Sequence, residues 1–132
     1  MPQHLTSDDL AALAQQLRAR EGQLRAELRA GEARASRETF ERMAGEAPDR
    51  GDASVAQATA DTVSAERQRD SDELVQVVAA LERIEVGTYG ICMECGEPIA
   101  VERLRAQPTA RYDLLHEEAN ERRRGGVATP RL

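Results

Sequence analysis

The sequence predicts a mainly α fold, in which a long antiparallel helical hairpin of the coiled-coil type carries a small globular base and a C-terminal helix. The chain of 132 residues contains one Phe, two Tyr and no Trp, and 32% of its residues are charged. So few large apolar side chains cannot fill a conventional core, but they suit helices whose apolar seam is narrow. The length allows one domain, or one small domain with an extended appendage.

The first helix is predicted to begin at residues 6–9, where Thr6 offers a hydroxyl cap and two acids fill the first turn. It is expected to end near Gly45, because Ala47 precedes a proline and is disfavoured in the helical region. The apolar stripe of this helix consists of Leu10, Leu13, Leu17 and Leu24, continued loosely by Leu28, Phe40 and Met43.

A turn over residues 47–52 is expected to lead into a second helix, from about Ala53 to about Val86. Two long helices joined by a short turn must be antiparallel neighbours, so residues 1–86 form the hairpin and its tip lies near residues 47–54. The second helix has a seam in which spacings of four and three residues alternate, as in a coiled coil: Asp70, Leu74, Val77, Leu81 and Ile84.

The base is predicted to comprise residues 87–124. The stretch 87–90 contains two glycines and ends the second helix, and residues 91–98 form a knuckle. A last helix is expected over residues 112–124, after a turn at Pro108. Residues 125–132 contain Gly-Gly and Pro and are expected to be a disordered tail.

Two pairs of candidate metal ligands lie in the base. Cys92 and Cys95 form one pair with two residues between them, and Asp113 and His116 repeat that spacing after a 17-residue gap. The pattern is typical of a treble-clef-like zinc knuckle, in which all four positions are normally cysteine. Thiolates and an imidazole suit Zn²⁺, and Asp113 is an allowed but less usual ligand. The sequence therefore predicts a Zn²⁺ site with an altered second pair.

A second interpretation stays open, in which zinc has been lost and His116 is a solvated helix residue. Packing alone then holds the base together, through Tyr89, Ile99, Leu104 and Leu114.

Charge and hydropathy exclude several classes of function. The net charge is −6, so the protein is a poor non-specific DNA binder, because duplex affinity depends largely on neutralising phosphates. The N-terminus lacks an apolar stretch of signal-peptide length, and no run of about 18 apolar residues occurs. We therefore expect a cytoplasmic protein without membrane contact, whose two cysteines are reduced or bind metal. No nucleophile is paired with a base, so no enzyme is expected.

Residues 87–99 and the run 103–110, Arg-Leu-Arg-Ala-Gln-Pro-Thr-Ala, resemble the DksA/TraR family of bacterial transcription regulators. The preceding hairpin resembles the longer, DksA-like members. The resemblance implies a monomeric zinc-finger protein that binds RNA polymerase, inserts its coiled coil into the secondary channel, and binds no specific DNA sequence directly.

The resemblance also assigns a role to the hairpin tip. Family members carry the tip pattern D-x-x-D-x-A, and here Asp49 and Asp52 match both acids whereas Ser54 replaces the final Ala. The implied role is to approach the polymerase catalytic centre. A simpler interpretation is that Asp52 caps the second helix and Asp49 stabilises the turn.

Family members of the DksA type respond to the alarmone ppGpp through basic residues, whose positions fall here on Gln76, Gln107 and Glu117. A Glu is repelled by a polyphosphate, and a neutral Gln cannot replace the charge-assisted bonds of a basic residue, so little ppGpp dependence is expected. Two alternatives to a polymerase-binding regulator remain for the whole protein. The first is a zinc- or thiol-redox-responsive module, and the second is a structural coiled-coil adaptor that does not bind polymerase.

Overall fold

The computed structural model describes residues 4–45 and 50–125, and of residues 50–53 the backbone alone. Its helices are α1 (Ser7–Met43), α2 (Arg50–Val86), α3 (Val101–Ala106) and α4 (Leu114–Arg124). Within the described ranges the only β pairing is an isolated antiparallel bridge between Ile91 and Pro98. The predicted mainly α fold with two long helices is confirmed, and the short helix α3 is an addition to it.

Helix α1 begins with a reciprocal capping box. The backbone N–H of Asp9 donates to Thr6 Oγ1 at 3.0 Å, and the backbone N–H of Thr6 donates to the Asp9 carboxylate at 3.0 Å. Leu5 and Leu10 flank the cap at the positions of a hydrophobic staple, and both are buried. The helix ends at Met43, and Gly45 follows with a φ of 110°. Both predicted ends of this helix are therefore confirmed.

The chain forms two compact units. The base unit consists of Met1–Arg18 and Val77–Leu132, and the hairpin unit consists of Ala19–Gln76. The predicted division at residue 86 stays a prediction. Apolar side chains from the start of α1, the end of α2, and the segments around α3 fill the core of the base unit: Leu5, Leu10, Leu13, Ala14, Leu17, Val77, Ala80, Tyr89, Cys92, Ile99, Leu104 and Ala110.

The hairpin unit packs more sparsely. Leu24 is fully buried in it, and Arg20 and Glu73 form a two-bonded ion pair between α1 and α2, with N···O distances of 2.5 and 2.8 Å. Of the predicted continuation of the leucine stripe, Leu28 is half-buried, but the prediction is wrong for Phe40 and Met43, which are 74% and 82% exposed. Over that stretch α2 offers mostly small side chains, such as Ala56 and Ala60, which line a groove of about 830 Å³ with α1.

Helix α2 begins at Arg50, three residues earlier than predicted. Asp52 therefore lies within the first turn of α2 and not at its cap, a position where the helix dipole favours an acid. The predicted end at Val86 is confirmed. Gly87 follows with a φ of 84°, and the backbone N–H of Thr88 donates to the Arg83 carbonyl at 2.9 Å.

The seam predicted for α2 is occupied by Val77, which is buried, and by Leu74, Leu81 and Ile84, which are half-buried. Ala80, which the spacing did not single out, is fully buried beside them. The predicted disordered tail lies outside the described residues from 126 onward. None of the helices in the described ranges combines the length and apolarity needed to cross a membrane.

Candidate functional site

The structure brings the four predicted metal ligands together. One ligand atom from each of Cys92, Cys95, Asp113 and His116 lies within 4.8 Å of every other. Cys92 is buried, Cys95 is exposed, and the other two side chains are half-buried. The 17-residue gap in the sequence therefore closes into one cluster in space.

A tight turn positions the first pair. The backbone N–H of Gly96 donates to the Cys92 carbonyl at 2.9 Å, and that of Cys92 donates to the Glu97 carbonyl at 2.8 Å. Gly96 has a φ of 76°, a left-handed conformation that glycine adopts without steric penalty. Gly90 also has a positive φ, of 84°, and here a side chain would in addition collide with the core, because a Cβ would lie 2.8 Å from Leu5 Cδ1.

The second pair is positioned by the start of α4. Asp113 is the N-cap of this helix, and its Oδ1 accepts from the backbone N–H of His116 at 2.8 Å. The same oxygen lies 2.7 Å from Nδ1 of the His116 ring. Because Asp113 is the cap, α4 begins at Leu114 and not at residue 112 as predicted. The backbone N–H of Met93 donates to the Arg111 carbonyl at 2.9 Å and joins the two halves.

The ionisable side chains of the cluster shift one another's pKa values. Burial raises the pKa of Cys92, but backbone N–H groups, of Asp113 first, outweigh it and bring that pKa below its usual value. The backbone N–H of Glu97 lowers the pKa of Cys95, yet burial and the Asp113 carboxylate raise it to about 11. The pKa of Asp113 itself is lowered, mainly by the backbone N–H of His116. A cation between these groups would relieve the repulsion between thiolate and carboxylate.

The donor set fits zinc. Zn²⁺ binds thiolate sulfur at about 2.3 Å, imidazole nitrogen at about 2.0–2.1 Å and carboxylate oxygen at about 2.0–2.2 Å. A tetrahedron with such bonds separates its ligand atoms by about 3.3–3.8 Å. The four ligand atoms lie within 4.8 Å of one another, close to that spacing, so their positions and chemical types fit a single ion. The four side chains therefore form a possible zinc site.

The predicted tip is described only in part. Asp49 lies outside the described residues, and for Asp52 the backbone alone is described, in the first turn of α2. Ser54, the departure from the family pattern, is exposed.

The three positions that correspond to the basic residues of DksA-type members carry polar side chains, which differ in their exposure to solvent. Gln76 and Gln107 are exposed, whereas Glu117 is half-buried and lies 3.7 Å from the Arg124 guanidinium. Glu117 therefore already has a cationic partner within its own helix.

One of the four residues predicted to hold the base together in the absence of zinc is not buried. Tyr89, Ile99 and Leu104 are fully buried, but Leu114 is 61% exposed because it begins α4 on the solvent side. Sequence reasoning also missed how the loop before Asp113 is held. The Tyr89 hydroxyl donates to the Pro108 carbonyl at 2.7 Å, and Arg103 Nε donates to the Tyr112 carbonyl at 3.1 Å. No local sequence signal marks these contacts, since their partners are 9 and 19 residues away.

The family comparison starts at the knuckle. A sequence model described as the prokaryotic dksA/traR C4-type zinc finger matches residues 87–112. That range includes Cys92 and Cys95 and ends immediately before Asp113, so the altered second pair lies beyond the match.

Matches to individual proteins extend the similarity to residues outside the knuckle. The chain is 39% identical over 93 residues to the RNA polymerase-binding transcription factor DksA of Caulobacter vibrioides, covering 68% of this chain and 66% of that protein. It is 50% identical over 52 residues to an uncharacterized protein of Aquifex aeolicus, covering 39% of this chain and 36% of that protein.

Among solved structures, transcription factor DksA2 from Pseudomonas aeruginosa matches with a TM-score of 0.72 and 25% sequence identity. The match covers 89% of this chain and 87% of that chain, so it includes the helices as well as the knuckle. The knuckle, the relative from Caulobacter and the shared fold agree: the chain belongs to the DksA/TraR family.

Proposed function

We propose that this protein regulates transcription by binding RNA polymerase. The observation that carries the proposal is the likeness to a protein named as an RNA polymerase-binding transcription factor, at 39% identity over 93 residues. The fold match to DksA2 covers 89% of the chain and supports it. In this proposal the protein is a cytoplasmic, monomeric regulator and not an enzyme. Its net charge of −6 fits a protein that reaches DNA only through the polymerase.

The proposed contact is the turn between α1 and α2, inserted into the secondary channel so that Asp49 and Asp52 approach the catalytic centre. A turn between two helices is narrow enough to enter a channel, and two carboxylates on it can interact with metal-bound or basic groups there. The exposed side chains of the adjoining helical stretch, Phe40 and Val55 among them, leave that surface free for the channel wall.

The test is Asp52→Asn, which removes the charge but keeps the size and shape of the side chain. We expect the variant to co-purify with RNA polymerase and to lose its effect on promoter transcription in vitro. Asp61→Asn is the matched control, because Asp61 is an exposed acid on the same helix, and among the described residues its side chain bonds only Gln57. If Asp52→Asn regulates as well as the wild type, the tip role is wrong. If the wild type does not co-purify with polymerase, the function itself is wrong.

Little ppGpp dependence belongs to the same proposal. The three family positions carry Gln76, Gln107 and Glu117, and none of them has the positive charge that pairs with a phosphate. A ppGpp titration of the transcription assay should leave the effect of the protein unchanged. A micromolar effect that requires both this protein and polymerase would contradict the expectation.

We infer that the four clustered side chains hold a structural Zn²⁺, since four protein ligands close its coordination sphere. Protein purified without added zinc should contain one zinc per chain, and chelation should lower its melting temperature. Asp113→Asn tests the weaker pair, because Asn caps a helix about as well as Asp but is a poorer metal ligand. This variant should bind zinc more weakly and melt like the wild type once both are chelated. Absence of stoichiometric zinc in the wild type would favour a base held by packing alone.

A further inference from the structure

The loop between α3 and α4, residues 107–113, carries Asp113 to the candidate metal site. Four of its backbone carbonyls accept hydrogen bonds from other segments of the base unit: Pro108 from the Tyr89 hydroxyl at 2.7 Å, Thr109 from Arg83 Nη2 at 3.4 Å, Arg111 from the Met93 N–H at 2.9 Å, and Tyr112 from Arg103 Nε at 3.1 Å. The bond from Arg103 is the nearest of the four to Asp113 along the chain, because Tyr112 directly precedes that ligand.

The peptide group between Tyr112 and Asp113 connects Arg103 to the metal ligands. A trans peptide is planar, and its carbonyl and its N–H point to opposite sides. Arg103 holds the carbonyl on one side. On the other side the N–H, which belongs to Asp113, donates to the Cys92 sulfur, a bond that lowers the pKa of Cys92. The contact with Arg103 therefore orients the peptide group that faces the first ligand pair.

The position of the Asp113 backbone also determines where the second pair lies. Oδ1 of Asp113 accepts from the backbone N–H of His116 at 2.8 Å, and Oδ2 lies 3.3 Å from Cys95 Sγ. One carboxylate oxygen thus caps α4 and the other faces the cysteine pair. His116 follows within the first turn of the helix that Asp113 caps, so both ligands are placed once the Asp113 backbone is fixed.

Arg103 gains little else from its environment. Its side chain is half-buried, and it forms no ion pair with any carboxylate in residues 4–45 and 50–125. Its Nη2 is buried and has no hydrogen-bond partner among the described residues. A buried donor without a partner is unfavourable for folding, so stability does not by itself account for this side chain. The bond from Nε to the Tyr112 carbonyl is the contact that gives it a role.

We propose that Arg103 is a positioning residue of the metal site, which fixes the peptide group before Asp113 so that Asp113 and His116 face the cysteine pair. The inference rests on the structural zinc site proposed above. Removal of outer contacts that orient metal ligands typically lowers metal affinity by about 10–100-fold. The charge of Arg103 predicts the opposite sign, because a guanidinium repels Zn²⁺ and its loss would strengthen binding. The direction of the change therefore separates positioning from electrostatics.

The first test measures the Zn²⁺ affinity of the full chain by competition with a chelator. We expect Arg103→Gln to bind Zn²⁺ at least about tenfold more weakly than the wild type. Arg105→Gln is the matched control and should bind like the wild type, because Arg105 lies on the same helix and carries the same charge but is exposed and pairs with Asp9. Arg103→Lys keeps a charged donor and should recover part of the affinity.

The visible spectrum of the Co²⁺-loaded protein separates positioning from a general loss of stability. Tetrahedral Co²⁺ absorbs visible light more strongly than Co²⁺ with additional water ligands, and thiolate ligands add a charge-transfer band. Arg103→Gln should keep the thiolate band, since the knuckle holds both cysteines, and should lose visible intensity. Ile99→Val removes a methyl group from the core and none of the hydrogen bonds of the loop, so it should keep the wild-type spectrum.

Equal zinc affinities of Arg103→Gln and Arg105→Gln would overturn the proposal, as would a wild-type cobalt spectrum in Arg103→Gln or the same altered spectrum in Ile99→Val. A wild-type protein that binds neither metal would overturn the zinc site itself, and this inference with it. If Arg103→Gln does not fold, Arg103→Lys is compared with Arg105→Lys, and the same order of affinities is expected. Polymerase is absent from all these measurements, so their failure is distinct from failure of the proposed transcriptional role.

Discussion

The base unit and the hairpin unit are built from the same two long helices but are stabilised in different ways. In the base unit, Leu17, Tyr89, Ile99 and Leu104 are 2% exposed or less. In the described part of the hairpin unit, Leu24 is the one apolar side chain of the buried core. Burial of apolar area stabilises the first unit, whereas the second depends on helix propensity, local polar pairs and the Arg20–Glu73 bridge.

The difference fits a division of labour. A surface that contacts a partner is exposed in the free protein, and several large apolar side chains of the hairpin unit, Phe40 among them, are exposed. Met43 and Val55 lie near the turn between α1 and α2 and are 82% and 68% exposed. The base unit instead holds the candidate metal site, whose four ligands need fixed geometry. Four substitutions or titrations test the comparison, in decreasing order of expected effect.

The largest effect is expected in the core of the base unit. Leu104→Ala should lower the free energy of unfolding by about 2–5 kcal/mol, because it leaves a cavity at a fully buried position. Phe40→Ala removes a larger side chain that is 74% exposed, and should change stability by less than about 0.5 kcal/mol. Urea unfolding followed by circular dichroism measures both. If Leu104→Ala does not fold, Ile99→Val serves instead, at about 0.5–1.5 kcal/mol. Equal losses of stability in Leu104→Ala and Phe40→Ala would contradict the difference in packing between the two units.

A pH titration tests the same core. Burial raises the pKa of Tyr89 from 10.0 to about 12. The folded state therefore holds this proton more tightly than the unfolded state, so stability is complete below about pH 10 and falls as the pH rises toward 12. The expected loss is of the order of 1–3 kcal/mol, measured by urea unfolding at a series of pH values.

The chain contains no lysine, so the raised pKa values that act on stability in the alkaline range are those of Tyr89 and Cys95. Tyr89→Phe should therefore reduce the loss above pH 10, while lowering stability at pH 8 by about 0.5–1.5 kcal/mol through the missing bond to the Pro108 carbonyl. Tyr112→Phe is the control and should retain the full alkaline loss. A Tyr89→Phe variant that loses as much stability as the wild type between pH 10 and 12 would show that Tyr89 is not responsible.

A matched pair of threonines on α1 compares the two units directly. Thr6→Ala removes the capping box of the base unit and should cost about 0.5–2 kcal/mol. Thr39→Ala in the hairpin unit removes only a hydroxyl that donates to the Ala35 carbonyl within the helix, and should be neutral or slightly stabilising. Thermal unfolding of the two variants measures the difference. Equal destabilisation would mean that the cap does not anchor the helix.

The smallest effect is expected for the ion pair of the hairpin unit. Glu73→Gln should cost less than about 1 kcal/mol, since Arg20 and Glu73 are 40% and 39% exposed and solvent screens the pair. The hydrogen bond from Arg20 lowers the pKa of Glu73, so the contribution is present above the usual carboxyl pKa and is lost as the pH falls below it. Melting in 1 M salt should reduce the difference from wild type. Glu66→Gln, an exposed acid on α2 without an ion pair among the described residues, should show no such dependence.

Much of the fold could be predicted because its signals are local. Thr6 with the acids after it placed the start of α1, and Gly87 placed the end of α2. Each of these signals acts on backbone groups within one or two helical turns, so the position of the helix end does not depend on distant segments of the chain. The start of α2 was predicted three residues late, because an acid in the first turn and an acid at the cap are hard to distinguish from sequence.

The candidate metal site shows where local reasoning stops. The spacing of Cys92, Cys95, Asp113 and His116 was sufficient to name four ligands, because each pair is arranged by its own turn or cap. Their approach to within 4.8 Å depends instead on how the knuckle packs against the segment before α4. The spacing could not show that Asp113 is also a helix cap, a role that aims its carboxylate at His116.

Periodicity and local caps thus specify the helical hairpin, its ends and the composition of the metal cluster. Tertiary structure alone decides which apolar side chains are buried, as the exposed Phe40 and the buried Leu104 show. It also decides which arginines meet an acid, since Arg20 reaches Glu73 across 53 residues whereas Arg83 donates to the Thr109 carbonyl. Burial and charge compensation depend on segments distant in the chain, and a local pattern contains no information about which segments those are.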